Sequence, residues 1–321
     1  MVGRFPGELL PANSTCTAAV PDGRYRNTGE VVRRASNPPP PTSNTLATNP
    51  CIRNPNRTDL TGNMTCDRMD LRVKPNGTEM FRVATWNVLS MNREGSAELV
   101  ANELTRLSIT VAGLTEVRWP GTGTHTTNDY SFLWSGREDG QHRQGVALGL
   151  ALSASRALVY WKPVSNRLLL ARLRHTFGMI SVIVAYAPTD MADDEEKDEF
   201  YTQLAALVSD ISRHDIIWIL GEFNATTGTD RTGFETALGS HGNQTRNNNG
   251  SRLLEFCSNH SLRTERSFFP HKTIHCMTWI SNDGHTRKEL DHILTSQRWH
   301  TSTDVFTAVQ CWEVLTTDSL P

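Results

Sequence analysis

The strongest structural signal in this chain is the segment Ile216-Ile217-Trp218-Ile219-Leu220-Gly221-Glu222-Phe223-Asn224-Ala225. Its leading run of apolar residues is typical of a strand that is buried on both faces of a sheet. The strand then stops at a glycine, a carboxylate, an aromatic residue and an amide. Because open α/β sheets bind ligands beyond the carboxyl ends of their strands, this tip is a candidate place to hold a phosphate or an attacking water. A strand that merely ends in a polar turn explains the same residues, so the segment alone leaves both interpretations open.

The segments on either side predict a mixed α/β sheet system. A strand over residues 82–88, a helix over 94–107 and a buried strand over 109–114 form a βαβ pattern. A Gly/Thr-rich loop is predicted over 120–127, and several strands without helices between them follow over 132–187, which indicates antiparallel hairpins. The remaining predicted elements are a helix that opens at Asp193, a helix over 250–262, and short strands over 278–279, 290–294 and 304–309.

The first 80 residues differ in composition from the rest of the 321-residue chain. They hold ten of the fifteen prolines, including four in a row from Pro38, and they show no hydrophobic periodicity. Such a segment cannot bury enough apolar surface to offset its ordering entropy, so we predict a disordered tail over 1–80 and a folded domain over 81–321. Because the whole chain carries −2 and the tail +3, the domain carries −5. The tail is interpreted as a linker or leader, with weak nucleic-acid contact as the alternative.

The cysteines and the apolar runs bear on the cellular compartment. None of the six cysteines forms a Cys-x-x-Cys pair, so a zinc knuckle or a redox motif has no support. The segment Met1–Leu10 lacks the apolar core of a signal peptide, and no run approaches the roughly 18 apolar residues of a membrane span. We therefore expect an intracellular, reducing setting with free thiols, and the nucleus is a candidate location. Secretion and membrane contact are not expected, and no protein partner is evident.

Other predicted strands also carry a polar residue at or near one end. These residues are Asn87, Glu116, Tyr186 and Asp291. Each has an ordinary structural explanation, such as a turn cap, a surface ion pair with Arg118, a core phenol or a loop-orienting carboxylate. Together with the tip of the central strand, they form a set of carboxylate and amide oxygens that suits Mg²⁺. No histidine and cysteine grouping with zinc spacing competes with this interpretation.

Seven segments give the chain a resemblance to a known family. In chain order they are Ala84-Thr85-Trp86-Asn87-Val88, Leu114-Thr115-Glu116-Val117-Arg118-Trp119-Pro120-Gly121, Trp134-Ser135-Gly136-Arg137, Ala185-Tyr186-Ala187-Pro188-Thr189, Gly221-Glu222-Phe223-Asn224-Ala225, His241-Gly242 through Asn249-Gly250, and Leu290-Asp291-His292-Ile293. On these segments, residues 81–321 resemble the endonuclease/exonuclease/phosphatase superfamily, which includes abasic-site endonucleases and DNase I. The nearest resemblance is to the endonuclease domains of non-LTR (LINE-type) retrotransposons and to craniofacial development protein 2-like proteins. The resemblance implies an α/β fold of two packed mixed β-sheets flanked by helices, a four-layer sandwich with its site in the cleft at one end.

The resemblance also implies a role for each polar residue at that end. Glu116 resembles the metal-ligating carboxylate, and Asn87 resembles its neighbour that organises metal and phosphate. Tyr186 resembles the phenol beside the scissile phosphate, while Glu222 and Asn224 stand where the family orients and deprotonates the attacking water. The remaining implied site residues are Asp291, which would buttress a catalytic histidine, Asp318 in the terminal motif, and Arg118 and Trp279 at the substrate. The implied reaction is Mg²⁺-dependent hydrolysis of DNA phosphodiesters, with Mn²⁺ as a substitute ion.

Two departures from the family pattern predict impaired catalysis. The family's Gly-Asp-Phe-Asn carries Glu222 here, and the extra methylene moves the carboxylate in a site where a displacement of about 1 Å costs about a hundredfold in rate. The family's terminal Ser-Asp-His reads Thr317-Asp318-Ser319 here, and a serine cannot act as a base near neutral pH. The resemblance also implies that the family's final strand is missing. We therefore expect a retroelement-derived endonuclease of low activity. The alternatives are a non-catalytic relic that binds metal or nucleic acid and, less favoured, a phosphatase of the same superfamily.

Overall fold

The computed structural model describes residues 16–19, 82–298 and 305–308, apart from residues 176, 177, 243, 273–275, 282 and 284. In chain order its elements are β1 (Cys16–Ala19), β2 (Val83–Asn87), α1 (Ser96–Arg106), β3 (Val111–Thr115), β4 (Thr122–Thr126), β5 (Tyr130–Ser135), β6 (Val146–Ala151), α2 (Leu152–Arg156), β7 (Leu158–Ser165), β8 (Leu168–His175), β9 (Gly178–Tyr186), α3 (Asp194–Asp210), β10 (Ile216–Glu222), α4 (Asn248–Asn259), β11 (Leu262–Thr264), a 3₁₀ turn (Glu265–Phe268), β12 (Trp279–Ile280), β13 (Arg287–Lys288), β14 (Asp291–Ser296) and β15 (Val305–Ala308).

Most of these strands belong to two mixed sheets. The first sheet has the strand order β15–β1–β2–β3–β6–β5–β4, and the second has the order β11–β14–β10–β9–β8–β7. Strand β2 runs parallel to β3, and β9 runs parallel to β10, whereas the other paired strands are antiparallel. Strands β12 and β13 form a separate hairpin. Each sheet therefore contains one parallel pair whose carboxyl ends point the same way.

Three apolar layers show how sheets and helices stack. The layer between the sheets contains buried side chains of both, such as Val111 of the first sheet and Val182 and Leu220 of the second. Helix α1 packs on the outer face of the first sheet through Leu104, while α3 and α4 cover the outer face of the second. The arrangement is the four-layer α/β sandwich that the resemblance implied.

Two glycines permit close approach at the centre of this sandwich. A Cβ at Gly221 would lie 1.8 Å from the carbonyl oxygen of Ala185 on the neighbouring β9. A Cβ at Gly113 would lie 2.5 Å from the Cβ of Leu220 in the facing sheet. Both distances are far inside van der Waals contact, so any side chain at these positions would push strands or sheets apart.

Some predicted elements need correction. The loop predicted over residues 120–127 contains β4, which is an edge strand and exposed along nearly all its length, so it lacks the apolar alternation that marks a strand. The helix predicted over 250–262 ends at Asn259, because Ser261 adopts a positive φ of 53° and Leu262 already belongs to β11. The helix predicted to open at Asp193 does so, since the Asp193 side chain accepts a hydrogen bond from the N–H of Glu196 at 2.8 Å.

Several expectations fall partly or wholly outside the described residues. Strand β1 lies inside the predicted tail and pairs with β2 and β15. The rest of the tail is not described, so its disorder, the domain boundary and the missing final strand stay predictions. Cys257 and Cys276, whose side chains are described, are buried free thiols. None of the helices among the described residues has the length and apolarity of a membrane span.

Candidate functional site

Strand register brings the predicted polar residues to one end of each sheet. In the second sheet, Tyr186, Glu222 and Asp291 stand side by side on β9, β10 and β14. In the first sheet, Asn87 is the last residue of β2 and Glu116 directly follows β3. Strands β2, β3, β9 and β10 form the two parallel pairs, so Asn87, Glu116, Tyr186 and Glu222 occupy the carboxyl ends where α/β proteins bind ligands. Asp291, the first residue of the antiparallel β14, lies beside them.

The side-chain amide of Asn87 joins the two sheets. Its Nδ2 donates to Oε2 of Glu222 at 2.6 Å and to Oε1 of Glu116 at 3.0 Å. Its Oδ1 accepts a hydrogen bond from the N–H of Leu89 at 2.9 Å, which fixes the amide in place. The Tyr186 hydroxyl donates to the same Oε1 of Glu116 at 3.1 Å. Hydrogen bonds therefore connect four of the predicted site residues across the cleft.

Glu222 and Asp291 are buried carboxyl groups that are 5% and 4% exposed. Burial raises the pKa of Glu222 well above its usual value, and the neighbouring charges of Asp291 and Glu116 raise it further, against the hydrogen bond from Asn87. Burial raises the pKa of Asp291 to about 7, although a hydrogen bond with Thr278 opposes this change. Oδ1 of Asp291 has no hydrogen-bond partner. Binding of a proton or a cation would therefore stabilise these two buried carboxyl groups.

Arg167 holds Tyr186 in position, although no sequence pattern singles this arginine out. Its guanidinium lies 5.3 Å from the centre of the Tyr186 ring, and Nη1 donates to the Tyr186 carbonyl at 3.2 Å. Nη2 donates to Oε1 of Glu196 on α3 at 2.7 Å. Burial, with the charges of Glu222 and Glu116, raises the pKa of the Tyr186 phenol above its usual value. The phenol therefore keeps its proton at neutral pH and can act as a hydrogen-bond donor.

Asn224 lies just beyond β10 in a fixed but unusual conformation. Its φ of 50° is in the left-handed region, which asparagine tolerates better than most residues. Its Nδ2 donates to the carbonyl of Ala187 at 3.1 Å, directly after Tyr186. Its own carbonyl accepts hydrogen bonds from Nδ2 of Asn247 at 3.0 Å and of Asn249 at 3.3 Å. No hydrogen bond among the described residues joins Asn224 to the carboxylates, so it lies at the rim of the cluster.

The other predicted site residues differ in how they relate to the carboxylates. Nη2 of Arg118 donates to Oε2 of Glu116 at 2.8 Å, and its side chain is 41% exposed. Glu116 and Arg118 both have a φ of 56°, and such strained backbone often occurs at functional sites. Trp279 is half-buried on β12, and within the described part of the chain no hydrogen bond links it to the carboxylates. Asp318, like Ser319, lies outside the described residues, and its role stays a prediction.

Two side chains that sequence reasoning missed hold the beginning of β14 in place. Oγ1 of Thr278 accepts hydrogen bonds from the N–H groups of Leu290 and Asp291 at 2.9 and 3.1 Å. His292 Nε2 donates to the carbonyl of Ala225 at 2.7 Å, and burial lowers the pKa of the ring. The neutral His292 therefore ties β14 to the loop after β10. Its place in a matching segment was the available signal, whereas Thr278 lies 13 positions from Asp291 and gave none.

The donor set can be compared with the needs of a divalent cation. Among the described residues, no three Asp, Glu, His or Cys side chains form a metal-binding group. Mg²⁺ usually takes only one or two carboxylates and completes its shell with water and phosphate oxygens. Glu116 and Glu222, held on either side of the Asn87 amide, supply the two carboxylates that such an ion would use.

Comparisons with known proteins agree with this architecture. The sequence matches no family model. It is 31% identical over 224 residues to craniofacial development protein 2 of Bos taurus, and the alignment covers 70% of this chain. The chain spans 37% of the length of that relative.

A solved structure shows the same fold. The AP endonuclease LMAP from Leishmania major aligns with a TM-score of 0.52 and 12% identity, covering 70% of this chain and 86% of that one. The endonuclease domain of TRAS1, a telomere-specific non-LTR retrotransposon, aligns with a TM-score of 0.47 and 12% identity, covering 68% and 86%. The chain has the fold of the endonuclease/exonuclease/phosphatase superfamily, and its sequence is similar to craniofacial development protein 2.

Proposed function

We propose that this chain is a Mg²⁺-dependent endonuclease of retroelement origin that hydrolyses phosphodiester bonds of DNA at a low rate. One observation carries the proposal: the Asn87 amide bridges Glu116 and Glu222 across the cleft at the carboxyl ends of the parallel strands. Fold alone does not determine function, so the proposal rests on this cluster and takes only support from the likeness to an AP endonuclease.

The residues of the cluster divide the chemistry among them. Glu116, oriented by Asn87, would hold the cation, which when bound polarises a phosphoryl oxygen and steadies the leaving group. Tyr186 keeps its proton and can donate to a phosphate oxygen. Asn224, with its fixed amide, orients the attacking water, and Glu222 accepts the proton from that water.

A low rate follows from the position of Glu222. Its carboxylate, on a side chain one methylene longer than that of aspartate, accepts a hydrogen bond from the Asn87 amide at 2.6 Å. The base is therefore engaged with a neighbouring residue where a shorter aspartate would leave more room for water. The same contact favours the second candidate, a non-catalytic relic that binds metal or nucleic acid through the cluster.

Nicking of supercoiled plasmid by the 321-residue chain tests the proposal. We expect slow nicking that requires Mg²⁺, is supported by Mn²⁺ and stops with a chelator. Glu116→Gln should lower the rate by about 10²–10³, as loss of one group that stabilises transition-state charge does. Glu195→Gln, the same change at an exposed position of α3, should leave the rate unchanged.

Three outcomes would contradict the proposal. Equal rates for wild type and Glu116→Gln would exclude the cluster as the site of hydrolysis. Mg²⁺-dependent DNA binding without nicking would favour the relic. Hydrolysis of inositol phosphates but not of DNA would favour a phosphatase.

A further inference from the structure

We infer that Asn249 is a positioning residue of this site, which acts by tying the loop after Tyr186 to the loop after Glu222. The inference rests on the proposed nuclease function for its catalytic consequence. Asn249 is 1% exposed and lies in the first turn of α4. Its Nδ2 donates to the carbonyl of Pro188 at 3.0 Å and to the carbonyl of Asn224 at 3.3 Å.

The two carbonyl groups belong to the segments that carry the site. Pro188 follows Tyr186 by two residues, and Asn224 follows Glu222 by two residues, so one amide group spans the ends of β9 and β10. These segments are also linked by the hydrogen bond from Asn224 Nδ2 to the carbonyl of Ala187. Asn249 thus closes a ring of hydrogen bonds around the peptide of Asn224, whose φ of 50° needs such support.

The unpaired oxygen of Asn249 argues for a role beyond packing. Its Oδ1 is buried and has no hydrogen-bond partner. A buried amide that leaves its oxygen unsatisfied costs free energy, so its presence is explained by the two N–H groups that it directs at the loops. Asn247, the neighbouring donor to Asn224, has a separate task, because its Oδ1 caps α4 through the N–H of Gly250 at 2.8 Å.

A double-mutant cycle on plasmid nicking tests the catalytic consequence. Asn249→Ala should reduce nicking about 10- to 100-fold in the wild-type background but less than threefold in the Asn224→Ala background, because the effect passes through Asn224. The matched control is Asn248→Ala, the same change one position earlier, where the exposed side chain accepts only from Arg252. It should change the rate less than twofold in both backgrounds. Equal losses from Asn249→Ala in both backgrounds would overturn the inference, since a purely structural defect is additive.

Hydrogen exchange gives a second measurement that does not depend on catalysis. In the full chain, Asn249→Ala should speed amide exchange in residues 187–192 and 224–228 together, whereas Asn248→Ala should change neither. Unchanged exchange in either segment would overturn the inference that Asn249 ties the two loops together, even if nicking falls. If wild type does not nick DNA, the proposed nuclease function fails, and the exchange result alone decides whether Asn249 ties the two loops.

Discussion

Replacing Asp291 by asparagine should remove a loss of stability that wild type suffers as the pH rises from acidic to neutral. The carboxyl group is 4% exposed, its Oδ1 is unpaired, and burial raises its pKa from an ordinary 3.8 to about 7. The folded chain therefore keeps this proton up to a higher pH than the unfolded chain does. The contribution of Asp291 to stability falls as the pH rises from about 4 to about 7 and is level beyond that window, because the ionised group is disfavoured only in the folded state.

The size of the effect follows from the two pKa values. They differ by about three pH units, and each unit corresponds to about 1.4 kcal/mol, so ionised Asp291 costs the folded state on the order of 4 kcal/mol above pH 7. An asparagine carries no charge at any of these pH values. The stability advantage of Asp291→Asn should thus grow by about 3–4 kcal/mol between pH 4.5 and pH 8, whatever constant difference the new amide adds.

Urea unfolding followed by tryptophan fluorescence at four pH values between 4.5 and 8 measures this difference. Asp215→Asn is the matched control, because Asp215 is equally buried but accepts two hydrogen bonds from Arg172 at 2.7 and 2.8 Å and one from Ser181. That change should destabilise the protein by about 2 kcal/mol, since it removes one partner of a charged pair that is partly exposed on the arginine side. Parallel stability curves for wild type and Asp291→Asn would refute the reasoning.

Three further changes test the site and the strands that carry it. Glu222→Asp should raise nicking by about tenfold or more, because the shorter side chain frees space for water; an unchanged or lower rate would contradict the assigned cause of slow catalysis. Tyr186→Phe should lower nicking about tenfold by removing the donor that now contacts Glu116, with at most about 1–2 kcal/mol lost in urea unfolding; a full rate would exclude the phenol from the reaction. Gly221→Ala should cost about 3 kcal/mol or more in the same unfolding assay, because its Cβ would lie 1.8 Å from the carbonyl oxygen of Ala185, and a loss below 1 kcal/mol would show that β10 can move away.

The buried centre of the fold could be predicted from sequence because its strands are continuous apolar runs. Strand β10 is such a run, and its tip carries Glu222 in register with Tyr186 and Asp291. The outer strands gave weaker signals. Strand β4 is polar and exposed, and β7, at the edge of the second sheet, contains Lys162 and Pro163 with register shifts along its pairing, so neither shows an alternation that marks a buried face.

Sequence pattern likewise predicts some residues of the candidate site and not others. Polar residues at strand tips can be found because parallel strands end together, and this locates Asn87, Glu116 and Glu222. The residues that hold them are scattered in sequence and bind through ordinary side chains. Arg167 lies in a tight turn and Asn249 in the first turn of a helix, and only the folded chain shows which carbonyl groups they contact.

Buried carboxylates at opposite ends of the second sheet are treated in opposite ways. Asp215, just before β10 begins, is paired with Arg172 and Ser181. Burial raises the pKa of both Glu222 and Asp291, where β10 ends, and no described cationic side chain is hydrogen-bonded to either. The fold provides a cationic partner for the buried carboxylate of Asp215. It could do the same for Glu222 and Asp291, so the lack of such a partner at the carboxyl end of β10 is a local feature that stability alone does not explain. Its coincidence with the Asn87 bridge is what a site left open for a cation and a phosphate would require.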